Sequence, residues 1–328
     1  MKKLIFAVFA ALLAVACGHQ KNELEMIRPA YLQPGDTVGL MIVSSPMVHR
    51  PGQTDTLIEV VKSWGVNVKC GKNLFKHEAT PFNVTDQERA QEFMEMINDP
   101  NIKAIVFYRG GYGAIRTLEY VDFEQVRKNP KWIVGFSDVT TYHLALQRNG
   151  IESIHGPMLS SYWQTKRPDP AANSVGDALF GRVSSYKIDP HPYNKYGTAT
   201  GKLVGGNMTL ISIAEGTPYD MPVDDNTIIF VEEIGESMNA IDGMMQQMQK
   251  SGKLSKAKAF LVGLFTDISD LEDPWEVHPY DLIKRYTDTL DVPVIFGFPA
   301  GHGRPNLAMY TGREVTVNVD ENGAEIVF

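Results

Sequence analysis

The chain has 328 residues, 43% of them hydrophobic, enough to fill two ordinary domain cores. A formal charge of -8 argues against nucleic acid as the partner, and Cys17 and Cys70 are too few for a disulfide framework or a cysteine metal site. Beyond the first residues no apolar stretch approaches bilayer-spanning length, so the mature body is expected to be soluble.

Lys2 and Lys3 precede an uncharged apolar run, Leu4 to Ala16, short for a membrane span and suited to a signal peptide over residues 1–16. Leu13 to Cys17 resembles the lipobox of bacterial lipoproteins, with Leu13 one residue further from the cysteine than in strict versions. Lipidation of Cys17 would make residues 17–27 a tether and the protein an exported lipoprotein, periplasmic or at the cell surface; an ordinary signal peptide cleaved near Ala16 is the alternative. Loss of the two lysines moves the formal charge from -8 to -10.

From Arg28 to Ser160 short apolar strands alternate with amphipathic helices. Thr37 to Ser45, Val66 to Cys70, Lys103 to Tyr108 and Trp132 to Phe136 read as strands, and Thr54 to Trp64 and Gln87 to Asn98 as helices. Thr85 and Glu88 have capping-box spacing. Such alternation predicts a mostly parallel sheet with flanking helices, whose ligand site lies beyond the carboxyl ends of the strands. Residues 161–199, with Pro168, Pro170, Pro190 and Pro192, read as an interdomain connection. A second domain, residues 200–328, offers strands at Lys202 to Val204, Thr227 to Glu232, Ala257 to Phe265 and Val292 to Phe296, and helices at Met208 to Ala214, Asn239 to Lys250 and Tyr280 to Leu290. Glu314 to Val319 and Ala324 to Phe328 close it as a hairpin. The fold class is α/β with two domains.

Ser137 stands where the strand ending in Gly135 and Phe136 meets a helical pattern. A serine at such a turn projects its hydroxyl above the sheet, and the first NH groups of the helix, free of intrahelical partners, can hold an oxyanion. Ser137 and Asp138 are equally the residue types that cap a helix, so this motif alone leaves both readings open. Arg109 to Gly113 form a glycine loop after another strand; it fits neither a dinucleotide fingerprint, since Arg116 stands where a glycine is needed, nor a Walker loop. It can serve as a tight turn or as an anion-holding backbone.

Among the eight histidines, His302 between Gly301 and Gly303 has the best case as a base, whereas His19, His49, His77, His191 and His278 have no chemical neighbour in sequence. His143 and His155 lie near Ser137 in the chain. Glu232 and Glu233 end a strand, and since neighbouring strand residues point to opposite faces, only one can enter a given site. Asp267, Asp270, Glu272 and Asp273 read as a solvated acidic loop rather than a calcium site, and no HExxH pattern supports zinc. An α/β-hydrolase elbow is disfavoured because Val139 replaces its second glycine.

Taken together, Pro34 to Asp36, Arg109 to Gly113 (RGGYG), Gly135 to Asp138 (GFSD), His155 to Met158 (HGPM), Gly205 to Asn207 (GGN), Val231 to Glu236 (VEEIGE) and Gly297 to His302 (GFPAGH) resemble, in order, the motifs of the LD-carboxypeptidase family, which includes the microcin-immunity peptidases. The resemblance runs from about Ile27 to the C-terminus. It implies a serine peptidase with an N-terminal α/β domain and a C-terminal mixed, barrel-like domain, the site lying between them. It also implies Ser137 as nucleophile, His302 as general base, Glu232 as its orienting acid with Glu233 as fallback, and the NH groups of Gly111 and Asp138 as oxyanion donors. The implied substrate is the tetrapeptide stem of peptidoglycan, losing terminal D-alanine through an acyl-enzyme; no metal or cofactor is required, and relatives suggest a homodimer. Glu233 departs from a frequent aspartate, and a signal peptide is unlike the cytoplasmic recycling members. Arg109 and Arg304 border the expected site as candidates for the substrate carboxylate. Two other readings remain: cleavage of a peptide antibiotic or aminoacyl-nucleotide, with Tyr162 and Trp163 able to stack a base, or capture of muropeptides by a non-catalytic lipoprotein.

Overall fold

The computed structural model describes residues 24–45, 52–74, 76, 82, 84–163, 170–269, 275 and 277–328. The expected signal peptide, Cys17, His19, His49, His77 and the acidic-loop residues Asp270, Glu272 and Asp273 lie outside them. Among the described residues no helix is long and apolar enough to cross a membrane.

Five strands run parallel in a first sheet: β1 (Thr37–Met41), β2 (Asn67–Cys70), β3 (Ile102–Phe107), β4 (Trp132–Gly135) and β5 (Ser153–His155), in the order β5-β4-β3-β1-β2. Their near-continuous apolar character follows from burial on both faces. Val38, Leu40, Ala104, Val106 and Val134 pack on one side with Leu57 and Val61 of the helix Gln53–Lys62. Met41, Ile105, Phe107 and Ile133 pack on the other with Phe93 and Ile97 of the helix Asp86–Asn98 and with Tyr142 and Leu146 of the helix Thr140–Arg148. Asp86–Asn98 opens with the expected capping box: the Glu88 NH donates to Thr85 Oγ1 at 3.2 Å and the Thr85 NH to Glu88 Oε2 at 2.8 Å.

The second sheet is mixed and curled. It contains β6 (Ser185–Ile188), β7 (Gly197–Asn207), β8 (Thr227–Ile234), β9 (Ala257–Thr266) and β10 (Val294–Gly301), while β11 (Met309–Thr311) leaves it and β12 (Glu314–Asp320) and β13 (Gly323–Val327) return, in the order β10-β9-β8-β7-β12-β13-β6. β7 to β10 are parallel, and the remaining pairs antiparallel. Ile229, Val231, Phe260 and Val262 face the helices Met208–Ala214, Met238–Lys250 and Pro279–Thr287. Ile228, Phe230 and Leu261 face the opposite way and meet Val315, Val317 and Ile326 across the curl.

Two features differ from the sequence expectation. The stretch 161–199, expected as a connection, contains the helix Pro170–Leu179, β6 and the start of β7. Pro170 occupies the first helical position, where its missing NH is harmless, and Val175, Ala178 and Leu179 complete the core of the first sheet. β11, expected within the second domain, adds to the first sheet antiparallel to β5, with Met309 opposite His155 and Thr311 opposite Ser153. The chain therefore crosses between the sheets directly after His302.

Candidate active site

β4 stops at Gly135, and Ser137 leaves it through a backbone of φ 61°, the left-handed region that a residue with a Cβ rarely occupies. That conformation costs on the order of 1–3 kcal/mol and persists only where the surroundings enforce it. The turn runs at once into the short helical turn Ser137–Val139 and the helix Thr140–Arg148, so Ser137 is partly exposed while Asp138 and Val139 are buried.

His302 Nε2 lies 2.9 Å from Ser137 Oγ, and His302 Nδ1 lies 2.7 Å from Glu232 Oε2. The Glu232 carboxylate is fully buried and accepts Nδ1–H, which leaves Nε2 free to take the serine proton. The same carboxylate oxygen accepts from the His302 backbone NH at 3.2 Å, fixing the imidazole and its main chain together. Burial of the ring works against its charged form, but the charge and hydrogen bond of Glu232, with a smaller effect of Glu233, outweigh it and hold the His302 pKa above its ordinary value. The His302 ring also rests against Phe136, 4.8 Å between centroids.

Strand alternation separates the two acids. Glu232 continues the face of Ile228 and Phe230, which turns toward the first sheet, whereas Glu233 continues the face of Ile229 and Val231, which carries the helices. Glu233 accepts from Asn207 Nδ2 and from the backbone NH groups of Thr209 and Ile234, each at 2.8 Å, so it braces the start of the helix Met208–Ala214. Burial raises its pKa against those hydrogen bonds. Asn207 joins the two domains: its NH donates to Thr140 Oγ1 at 3.1 Å, on the helix that follows Ser137.

Gly301 explains the glycines around His302. It has φ 120°, and a Cβ there would come within 2.7 Å of Glu232 Oε2, so only glycine lets β10 deliver the histidine so close to its acid. The Gly301 NH donates to the buried Asn306 Oδ1 at 3.0 Å, which closes the loop beyond His302.

A model of the LD-carboxypeptidase N-terminal domain matches residues 38–156, and one of the LD-carboxypeptidase C-terminal domain matches residues 200–317. The chain belongs to the LD-carboxypeptidase family. It is 32% identical over 303 residues to a probable murein peptide carboxypeptidase of Bacillus subtilis, covering 91% of this chain and 94% of that protein. The crystal structure of muramoyltetrapeptide carboxypeptidase from Oxalobacter formigenes is similar with a TM-score of 0.78 at 26% identity, covering 88% of this chain and 97% of that one. The structure of MccF in complex with glutamyl sulfamoyl guanosine shares the fold with a TM-score of 0.80 at 22% identity, covering 92% and 98%. The two-domain architecture, with a mostly parallel sheet and a curled mixed one, is that of these structures.

The glycine that touches the serine is Gly110: a Cβ there would lie 3.2 Å from Ser137 Cβ and 3.3 Å from its Oγ. Gly111, expected as an oxyanion donor, has φ 127° and lies against Ser45, whose Oγ accepts from the Tyr112 NH at 3.0 Å. Arg109 is half-buried at the end of β3, with Nε donating to the Gly110 carbonyl at 3.1 Å, and Arg304 is exposed beyond His302. Tyr162 and Trp163 close the helix Leu159–Trp163, and their side chains are outside the described part. His143 donates from Nε2 to the Gly135 carbonyl at 2.9 Å and lies 2.8 Å from Ser153 Oγ through Nδ1, and burial lowers its pKa to about 4; it holds the strand ends under the site as a neutral ring. His155 is fully buried among Phe136, His143 and Phe230, and burial lowers its pKa well below the ordinary value. Among the described residues no group of three His, Cys, Asp or Glu side chains is arranged to hold a metal ion.

Sequence reading missed the Asp138 carboxylate. It is buried and accepts from the Ala114 NH at 2.8 Å and from the Gly113 NH, tying the residue after the nucleophile to the glycine loop. Burial raises its pKa against these bonds. The only sequence sign was an acid directly after the serine, which helix capping explained equally well.

Proposed function

We propose that this family member is a serine-type LD-carboxypeptidase that removes terminal D-alanine from the tetrapeptide stem of peptidoglycan. The observation that carries the reading is the continuous row from Ser137 Oγ through His302 to buried Glu232. His302 takes the proton of Ser137 as Oγ attacks the carbonyl carbon of the amide that precedes the terminal D-residue. The tetrahedral oxyanion is held by the Asp138 NH and by the glycine loop that lies against Ser137. His302 then gives its proton to the departing nitrogen, D-alanine leaves, and the stem remains as an ester on Ser137. Water, deprotonated by His302, cleaves that ester and restores the serine. Glu232 offsets the imidazolium charge in both halves of the cycle. Arg109 and Arg304 are the candidates for the free carboxylate of the substrate. We further propose export, with the body tethered through lipidated Cys17, which would bring the site to the murein.

A second reading, hydrolysis of an aminoacyl-nucleotide or a peptide antibiotic, is favoured by the fold shared with MccF, whose structure holds glutamyl sulfamoyl guanosine. Incubating wild type and Ser137→Ala with disaccharide tetrapeptide, and separately with an aminoacyl sulfamoyl nucleotide, decides between them by product mass. The first reading expects D-alanine from wild type alone. Release by the variant at the wild-type rate overturns the mechanism, and cleavage of the nucleotide alone establishes the second reading. Binding of tetrapeptide without release of any product makes the chain a capture protein.

A further inference from the structure

Arg89 is fully buried on the helix Asp86–Asn98, and no catalytic step above uses it. An arginine cannot shed its charge, so burying one is costly unless its donors are occupied. Arg89 reaches the two loops that border the site through Nη1, while its Nε is buried without a partner. Nη1 donates to the Val43 carbonyl and lies 3.5 Å from the carbonyls of Ser44 and Gly113, while Nη2 pairs with Asp86. Its guanidinium also stacks 4.6 Å over Phe82.

The contact with Gly113 gains meaning from Asp138. The peptide that joins Gly113 to Ala114 has its carbonyl toward Arg89 and its NH donated to Asp138 at 2.8 Å. A buried cation and a buried anion thus hold opposite ends of one peptide plane, and the two charges attract each other. Ser45, next to the carbonyls that Arg89 holds, accepts from the Tyr112 NH at 3.0 Å and binds the same loop from a third side. Glycine-rich backbone has many accessible conformations, and a rotated peptide would swing an NH away from an oxyanion. Packing alone would be served as well by an aliphatic side chain, without the desolvation of a guanidinium.

We propose that Arg89 is a positioning residue: together with Asp138 it clamps the Gly113–Ala114 peptide and so holds the glycine loop in the shape that faces Ser137. The inference rests on the proposed serine mechanism for its kinetic consequence, but not for its structural one. Arg89→Met keeps the side-chain length and removes the charge. It is expected to lower kcat on disaccharide tetrapeptide about 10- to 100-fold with KM within about twofold, the size of losing part of an oxyanion site. The acid limb of the pH profile, set by His302, stays in place, and amide hydrogen exchange accelerates over residues 110–114 but not over β3 and β4. Arg89→Lys, which keeps the cation without the fork, is expected to recover part of kcat. Wild-type kcat and wild-type loop exchange in Arg89→Met overturn the proposal. So does a loss of kcat in which exchange rises equally across the first sheet, the mark of a packing residue. If Arg89→Met does not fold, Arg89→Lys is read by the same two measurements, with wild-type values in both overturning the proposal. If wild type releases no D-alanine the proposed function falls, and loop exchange alone then decides the role of Arg89.

Discussion

In the first sheet Ser137 leaves β4 through a strained left-handed turn, bordered within the same domain by the helix that starts at once, the glycine loop against its side chain, and Asp138 bound to that loop. In the second sheet Glu232 and His302 come from β8 and the end of β10, with β9 between them, and neither has a strained backbone. Their meeting depends on space. Gly263 on β9 and Gly301 on β10 leave room that a Cβ would fill, and the acid then holds the histidine through two hydrogen bonds. One half of the site is thus held by conformation, the other by close approach. The parts meet where Asn207 binds Thr140 and β11 crosses to the first sheet. Reactivity at such a junction is sensitive to displacement in either half, since an error of about 1 Å in a reacting group costs on the order of 100-fold.

The largest effect that sharpens this comparison is expected from Glu232→Gln. The amide can still accept Nδ1–H but carries no charge to offset the imidazolium, and kcat should fall on the order of 10³- to 10⁴-fold. The sign of the accompanying pH change is fixed by the opposing influences on His302. The base must be neutral, so kcat/KM should fall as pH drops through its pKa, and in wild type that limb is expected above the ordinary histidine value of 6.5. Removing the Glu232 charge leaves burial opposed only by the smaller effect of Glu233, and the limb should move to lower pH; a limb that moves upward or stays would break the account of the second half.

Gly301→Ala is next. The methyl must displace the Glu232 carboxylate or the His302 loop from a backbone of φ 120°, and a fall in kcat of about 100-fold is expected, with a loss of stability on the order of 1–3 kcal/mol. Wild-type activity in this variant would show that close approach is not what holds the pair. The smallest effect is expected from Glu233→Gln, which should lower stability by about 1–2 kcal/mol through the weakened brace at Thr209 and leave kcat within about tenfold of wild type. A thermal melt and a rate on the same sample separate the two outcomes. A loss as large as that of Glu232→Gln would erase the difference between the two faces of β8.

Local features were legible before the fold was. The parallel first sheet follows from apolar runs alternating with amphipathic helices, and the turn at Ser137 from a buried strand meeting a helical pattern within two residues. The helix start at Thr85 could be read because a capping box lies within four residues. The helix Pro170–Leu179 was misread because a proline at its first position resembles a break until its apolar face finds a core. β11 is three residues long and carries no periodicity of its own, so nothing but its pairing with β5 reveals its sheet.

By itself the sequence determined that one of Glu232 and Glu233 must point away from any shared site, because side chains alternate along a strand. Which one faces His302 was decided by the tertiary structure, since it depends on which face of β8 the helices cover. The sequence likewise determined that a glycine loop follows β3, while the fold decided that Gly110 touches Ser137 and that Arg89 and Asp138 hold the loop from two sides. Residues 89, 113 and 138 are far apart in the chain and share no spacing rule. Only packing brings a buried cation and a buried anion to the two ends of one peptide.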